Sequence, residues 1–337
     1  MNESLIKLEQ INTWFPNNKS VFGKPTSCIK AVSDVSLNII EGECLGLVGE
    51  SGCGKSTMGR TILRLAPLYS GNIGFMGEDI GRLDGNRLKP YRAKMQMVFQ
   101  DPKASLNPRM TIFKILSEAL YLNSRVAKDD YLEQTVKLLD LVDLRPEHIY
   151  RYPHEFSGGQ QQRICIARAL ATDPKFIVFD EATSALDVSV QAQVINLMRD
   201  LQNKLNLTYL FISHDLSIME HVCSRVAVMY AGQIIEVQDS GSLFDAPRHP
   251  YTKALKNAVP IADPESRKEL GILKGEVPKL SDPPSGCHFH PRCGYQEDIC
   301  SKKSPRVSET GKNSWVRCHF HEKLWQQGVL INSKESL

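Results

Sequence analysis

"CLGLVGESGCGKSTMGRTILRLA", residues 44–66, decides the fold. CLGLVGE (44–50) is an apolar run with the length of a buried strand, and KSTMGRTILRLA (55–66) places Met58, Ile62 and Leu65 at helical spacing. Between them, GESGCGKS (49–56) has the P-loop spacing of Gly, four residues, then Gly-Lys-Ser, in the strand-to-helix setting that loop requires. Successive backbone N–H groups from Ser51 to Ser56 are expected to form a nest for a β-phosphate at the positive end of the helix. Lys55 is expected to reach the β- and γ-oxygens, and the Ser56 hydroxyl to complete a Mg2+ shell. Gly49, Glu50, Ser51, Gly52, Cys53, Gly54, Lys55, Ser56 and Thr57 are therefore the first candidate nucleotide contacts.

Outward from this loop the pattern is α/β. VSDVSLNII (32–40) alternates as a strand, while KFIVFD (175–180) and TYLFISH (208–214) are short apolar runs typical of buried parallel strands. VSVQAQVINLMRDLQNKL (188–205) puts Val190, Val194, Leu197, Met198, Leu201 and Leu205 on one helix face. RVAVMY and AGQIIEV read as a hairpin around Ala231-Gly232. Strand–helix alternation of this kind predicts a mostly parallel sheet. Residues 105–170 contain helical patterns with no strand between them, and beyond about 246 Pro and Gly mark a linker and a loop-rich tail. The net charge of +3 over 337 residues, with 42% hydrophobic residues, gives no electrostatic case for nucleic acid. The polar start MNESLIKLEQ lacks the build of a secretory signal, and no apolar run is long enough to span a bilayer, so the expectation is a soluble cytoplasmic protein.

FIVFDE (176–181) brings Asp180 and Glu181 out at the C-terminal end of a strand, where open α/β sheets gather ligands. Asp180 is expected to hold Mg2+ through water and Glu181 to act as general base on the attacking water. Gln100, ending the strand-like MQMVFQ, is a candidate contact to Mg2+ or that water; His214, ending TYLFIS, is a candidate for the γ-phosphate. A second phosphate cradle follows from SGGQ (157–160), at the start of a helix: the Ser157 hydroxyl and the Gly158 and Gly159 amides suit an anion.

Together these stations resemble the ABC-type ATPases over about residues 5–240. The order GESGCGKST, Gln100, SGGQ, Asp180-Glu181, SALD (184–187), His214 is the order of that family's motifs. The resemblance implies a P-loop NTPase core of ABC type with a helical subdomain at about 101–170, and ATP as the nucleotide. It explains the second cradle: Ser157, Gly158, Gly159 and Gln160 close over ATP held by a second ATPase subunit, with Asp187 at the same interface. It also places Phe15, or its neighbour Trp14, against adenine. The family usually has Pro after the catalytic Glu; Ala182 stands here, which predicts a less rigid loop.

The tail narrows the resemblance. RHPYTKAL (248–255), GEVPKLSDPPSGC (275–287), CHFHPRCGYQEDIC (287–300) and VRCHF (316–320) are similar to the ATP-binding subunits of dipeptide/oligopeptide importers, with nickel importers sharing much of the pattern. The implied organisation is a nucleotide-binding domain at 1–245 and an importer-type extension at 246–337. Implied partners are a second ATPase subunit (a paralogue or a copy of this chain), two transmembrane permease subunits and an external solute-binding protein, with no nucleic acid. The implied location is peripheral, on the cytoplasmic face of the inner membrane. Cys287, Cys293, Cys300 and Cys318 leave gaps of five, six and seventeen residues, and four thiolates suit Zn2+ or a 4Fe–4S iron–sulfur cluster. The gaps exceed those usual for zinc and the resemblance points to the cluster; zinc and unliganded thiols are the alternatives, and His288, His290 and His319 are either bystanders or supporting or substitute ligands. The rival class, a soluble ABC ATPase acting on DNA or ribosomes, is disfavoured: only 100 residues (57–156) separate the P-loop from SGGQ, and there is one cassette.

Overall fold

Two long strands open the chain in the computed structural model, β1 (Ser4–Lys19) and β2 (Pro25–Ile40). The structure describes residues 4–19, 25–122, 126–258 and 275–326. Next come β3 (Cys44–Val48), α1 (Lys55–Ile62), β4 (Ser70–Phe75) and β5 (Glu78–Asp79). After them lie α2 (Gly85–Lys94), β6 (Met95–Val98), α3 (Pro102–Ser105), α4 (Ile112–Tyr121), α5 (Tyr131–Leu141) and α6 (Gly158–Leu170). β7 (Phe176–Asp180), α7 (Val188–Leu205), β8 (Thr208–Ser213) and α8 (Leu216–Val222) follow. Then run β9 (Arg225–Tyr230), β10 (Gln233–Asp239), α9 (Ser240–Asp245) and α10 (Pro250–Asn257). The tail holds α11 (Asp298–Lys302), β11 (Ser308–Gly311), β12 (Ser314–Val316) and α12 (His321–Gln326).

By internal contacts the chain divides into two compact units, each drawn from three separate stretches. The first takes Met1–Ile6, Asn38–Cys44 and Gly74–Ile212; the second takes Lys7–Leu37, Leu45–Ile73 and Ser213–Leu337.

In the first unit β6, β7 and β8 are parallel neighbours, in register Met95↔Phe176 and Phe176↔Thr208. Every residue of β7 and β8 is buried, which is why both read as unbroken apolar runs. Phe179 sits at the centre, edge-on to Tyr209 with ring centroids 5.0 Å apart. The stretch 101–170 is helical as expected, and α4, α5 and α6 pack on one another. α7 buries Val194, Leu197, Met198 and Leu201; Val190 is half-buried and Leu205 exposed, so the apolar stripe is narrower than the periodicity predicts. Asn206, at φ 49°, ends that helix in the left-handed conformation that asparagine tolerates.

In the second unit β3 and β9 are parallel, Leu45↔Arg225 through Val48↔Val228. β9 turns back antiparallel into β10 through Ala231 and Gly232, at φ 42° and 82°, the tight hairpin the sequence predicts. α1 stops at Ile62, three residues short of the predicted face. Arg64 turns left-handed at φ 56° and the Leu65 N–H closes on the Arg60 carbonyl at 2.8 Å, which swings the Leu65 side chain into solvent. The tail is more ordered than its loop-rich composition predicts: β12 pairs antiparallel with β10 (Glu236↔Val316, Val237↔Trp315), and β11 pairs with β12.

Candidate functional site

The P-loop lies in the second unit. Gly54 is the N-cap of α1 at φ 109°, and a Cβ there would lie 2.1 Å from the Ala31 carbonyl oxygen, so only glycine fits. Cys53 is buried beneath the loop, and burial pushes its thiol pKa up, which leaves it an inert packing group. Lys55 is only 4% exposed. Its Nζ donates to the Gly49 carbonyl at 2.7 Å and the Glu50 carbonyl at 3.0 Å, while its remaining direction meets only the weak acceptor Cys53 Sγ at 3.9 Å. That third N–H is the one suited to a phosphate oxygen. His214, exposed after β8, lines a cavity of ≈ 430 Å3 together with Val48 and Gly49.

Glu50 is held on every side. Its N–H donates to the Tyr251 hydroxyl at 2.9 Å, and its carboxylate accepts both Arg292 nitrogens, at 2.6 and 3.1 Å. Neither partner is named by the reading of the sequence, although both sit in tail motifs quoted there, RHPYT and HPRC. On β1, alternation turns Trp14 and Phe15 to opposite faces. The Trp14 ring stacks on Tyr69, with centroids 4.2 Å apart and Lys30 Nζ 5.4 Å away; Phe15 is half-buried.

The first unit brings together the carboxylates, the glutamine and the second cradle. Asp180 ends β7, 5% exposed. Glu181 follows in the left-handed conformation at φ 49°. Its N–H donates to the Ile212 carbonyl at 3.0 Å, and its own carbonyl accepts the Ser184 N–H at 3.1 Å and hydroxyl at 2.9 Å. With Ala182 buried as well, this loop is pinned by hydrogen bonds and packing where the family uses a proline ring, so the predicted loss of rigidity is offset. Gln100 Nε2 donates to Glu181 Oε2 and Ser184 Oγ, both at 3.4 Å.

Ser157 is an exposed N-cap whose Oγ accepts the Gln160 N–H at 3.4 Å, while Gln160 Oε1 accepts the Ser157 N–H at 3.0 Å, a full capping box. The Ser157 hydroxyl proton remains a donor, and the Gly158 and Gly159 amides lie before the first intrahelical bond, Gln161 N–H to Ser157 O at 2.9 Å. Buried Gln161, another residue the sequence does not flag, donates from Nε2 to the Pro153 and Phe156 carbonyls at 2.8 and 3.0 Å and fixes the approach to Ser157. Asp187, the exposed N-cap of α7, makes no side-chain cap bond.

In the tail, Cys287, Cys293, Cys300 and Cys318 line one cavity of ≈ 20 Å3 with His249 and Phe289. Burial pushes the Cys287 thiol up to about 11 and Cys318 up to about 12, each raised further by its cysteine neighbours. His249 Nδ1 accepts the Tyr251 N–H at 3.0 Å, so its proton sits on Nε2, which is buried with no hydrogen-bond partner among the described residues. Among the described residues no group of three or more His, Cys, Asp or Glu side chains is arranged to hold a metal ion.

Comparison with known proteins now decides the family. The ABC transporter family matches residues 32–184, and the oligopeptide/dipeptide transporter C-terminal region matches residues 235–300. The oligopeptide transport ATP-binding protein AppF of Bacillus subtilis (strain 168) is 47% identical over 322 residues, 95% of this chain and 98% of that protein. The chain belongs to the ABC transporter family. This ABC ATPase is also 50% identical over 293 residues to a putative peptide import ATP-binding protein of Brucella ovis, covering 87% of this chain and 92% of that one. Among solved structures, the ABC ATPase resembles cbiO1 of Clostridium perfringens, part of the ABC transporter complex cbiONQ (TM-score 0.62, 25% identity, 72% of this chain, 91% of that one). It resembles equally the cassette MJ0796, a dimer in a post-hydrolysis state bound to ADP and Pi (TM-score 0.61, 26% identity, 70% of this chain, 98% of that one). The enzyme is thus an ATP hydrolase with a P-loop α/β core. No helix among the described residues is long and apolar enough to cross a membrane.

Proposed function

We propose that this ATPase drives peptide import through separate permease subunits, hydrolysing ATP at an interface with a second ATPase subunit. The observation that carries this reading is the exposed, capped N-terminus of α6: a phosphate-ready helix end at Ser157 on a chain that already has a P-loop. The peptide class rests on the relatives named above and on the importer-type match at 235–300. The external solute-binding protein that selects cargo, and a peripheral seat on the cytoplasmic face of the inner membrane, follow from the same organisation. A hollow of ≈ 580 Å3 in the helical region, lined by Phe113, Tyr121, Tyr131 and Leu132 together with the charged Lys114, Glu118, Lys128 and Asp129, suits an amphipathic element of a permease.

Phe15 takes the adenine, since the Trp14 ring is committed to Tyr69. Lys55 and the amides of residues 51–56 hold the β- and γ-phosphates. Ser56, Gln100 and Asp180 carry the hard oxygen donors that Mg2+ prefers, and the ion, when bound, would neutralise charge on the phosphate oxygens. Glu181, oriented by its pinned backbone and by Gln100, removes the proton of the attacking water, and His214 contacts the γ-phosphate. Ser157, Gly158, Gly159, Gln160 and Asp187 serve the nucleotide of the partner subunit. Hydrolysis breaks the link between the two subunits, and this loss of contact is the mechanical step.

We further propose a 4Fe–4S cluster on Cys287, Cys293, Cys300 and Cys318 as a structural staple, on the strength of the importer-type tail; the cavity the four thiols share, at ≈ 20 Å3, has room for about one water, so the tail would have to open around the cluster. Anaerobically purified protein is expected to be brown and to contain iron; a colourless protein with one zinc per chain contradicts the assignment.

The mechanism is tested by Glu181→Gln. This variant is expected to bind ATP, to lose hydrolysis by about a hundredfold or more, and to accumulate as an ATP-dependent dimer on gel filtration. Hydrolysis at the parental rate overturns the base assignment.

A further inference from the structure

Glu50 occupies the second position of the P-loop, yet each of its polar groups is engaged by the protein. Its carbonyl accepts Lys55 Nζ at 3.0 Å, its N–H donates to the Tyr251 hydroxyl at 2.9 Å, and its carboxylate takes a two-pronged bond from Arg292. The ion pair is sheltered, with the Arg292 side chain 5% exposed and that of Glu50 25% exposed. Behind it the rings of Tyr230, Tyr251 and Phe289 meet with centroids 4.7, 5.2 and 5.4 Å apart, and Arg292 Nη1 also reaches the Tyr230 hydroxyl at 3.4 Å. Arg292 is the neighbour of Cys293, and both Arg292 and Tyr251 fall within the importer-type region at 235–300.

We infer that Arg292 and Tyr251 are positioning residues for ATP binding: the C-terminal extension grips the P-loop through Glu50 and cancels a carboxylate that would otherwise repel the triphosphate. The inference rests on the reading of residues 49–56 as the loop that holds the phosphates. A loop of successive N–H groups binds an anion only while its backbone is fixed in the nest conformation. An uncompensated carboxylate beside it raises the cost of bringing in a polyanion, and a sheltered, bidentate guanidinium is the strongest available remedy. The extension thereby sets ATP affinity as well as completing the fold.

The test uses the full-length chain, with a fluorescent ATP analogue titrated in the presence of Mg2+ and with steady-state hydrolysis. Arg292→Ala is expected to weaken ATP binding and raise KM about tenfold, with kcat at saturating ATP within about twofold of the parent. Arg292→Lys, which restores the charge without the fork, is expected to recover part of that loss. Tyr251→Phe, which removes one hydroxyl and keeps the ring, is expected to raise KM about threefold and serves if Arg292→Ala does not fold. In a Glu50→Gln background the Arg292→Ala penalty should vanish, because no carboxylate remains to be neutralised. A merely structural arginine predicts a lower kcat at unchanged KM, and the same penalty in both backgrounds; either result overturns the inference. Lys55→Ala separates the two levels. If it binds ATP like the parent, the P-loop reading itself fails; if it loses ATP while Arg292→Ala, Arg292→Lys and Tyr251→Phe bind normally, only the positioning role falls.

Discussion

At Gly159 a Cβ would stand 2.3 Å from Val190 Cγ1, so the residue is small because α7 crosses close by, as well as for access to an anion. Gly159→Ala is therefore expected to destabilise the protein by about 1–3 kcal/mol through overpacking. Val190→Ala should restore most of that loss in urea denaturation of the double variant. The same scale contains an acid-sensitive residue. His249 is wholly buried and burial holds its pKa down to about 3, from an ordinary value of 6.5. Below pH 6.5 the unfolded chain takes up a proton that the folded chain refuses, so this group's contribution is lost as pH falls and is fully present above 6.5. The cost reaches about 2 kcal/mol at pH 5. His249→Gln should flatten the fall in stability between pH 6.5 and 5 relative to the parent, read from urea unfolding at each pH. The candidacy of Lys55, Asp180 and Glu181 is legible in the sequence, because spacing and strand ends announce it. The packing of Gly159 against Val190 and the contacts of Tyr251 and Arg292 with Glu50 are not, since each depends on a group distant in sequence; Glu50 and Arg292 are 242 positions apart.

Among the elements, β3, β7, β8 and β9 were readable because strands buried on both faces carry continuous apolar runs. The tail strands β11 and β12 were hidden by their shortness and by polar residues such as Ser308 and Glu309; pairing with β10 stabilises them more than local propensity does. The α4–α5 hollow makes an element-level prediction. Leu132→Asp places a charge on its apolar wall, and the amount of peptide taken up per ATP hydrolysed is expected to fall at least about fivefold in vesicles containing the whole transporter. Unchanged coupling would move the permease contact elsewhere.

For the whole molecule, the prediction concerns which chain completes which site. Lys55→Ala and Ser157→Arg chains should each be inactive alone. Mixed, and pairing as twins, half the dimers unite an intact P-loop with an intact SGGQ at one of two sites, so activity should return to about a quarter of the parental rate. Hydrolysis that stays at zero on mixing points to a paralogous partner if the parental chain does not dimerise with ATP, and to a nucleotide enclosed by one polypeptide if it does. The order of motifs makes the ABC fold readable in outline, since it follows the family's order along the chain. The assignment of each station to one of two discontiguous units was not, because those units are assembled from three stretches apiece.

The antiparallel addition of β12 to β10 has a practical corollary. A chain interrupted before residue 308 leaves the backbone of Glu236 and Val237 as a bare margin, open to pairing with any passing strand. A premature stop codon there would thus yield sticky protein prone to inclusion bodies rather than a shorter working subunit.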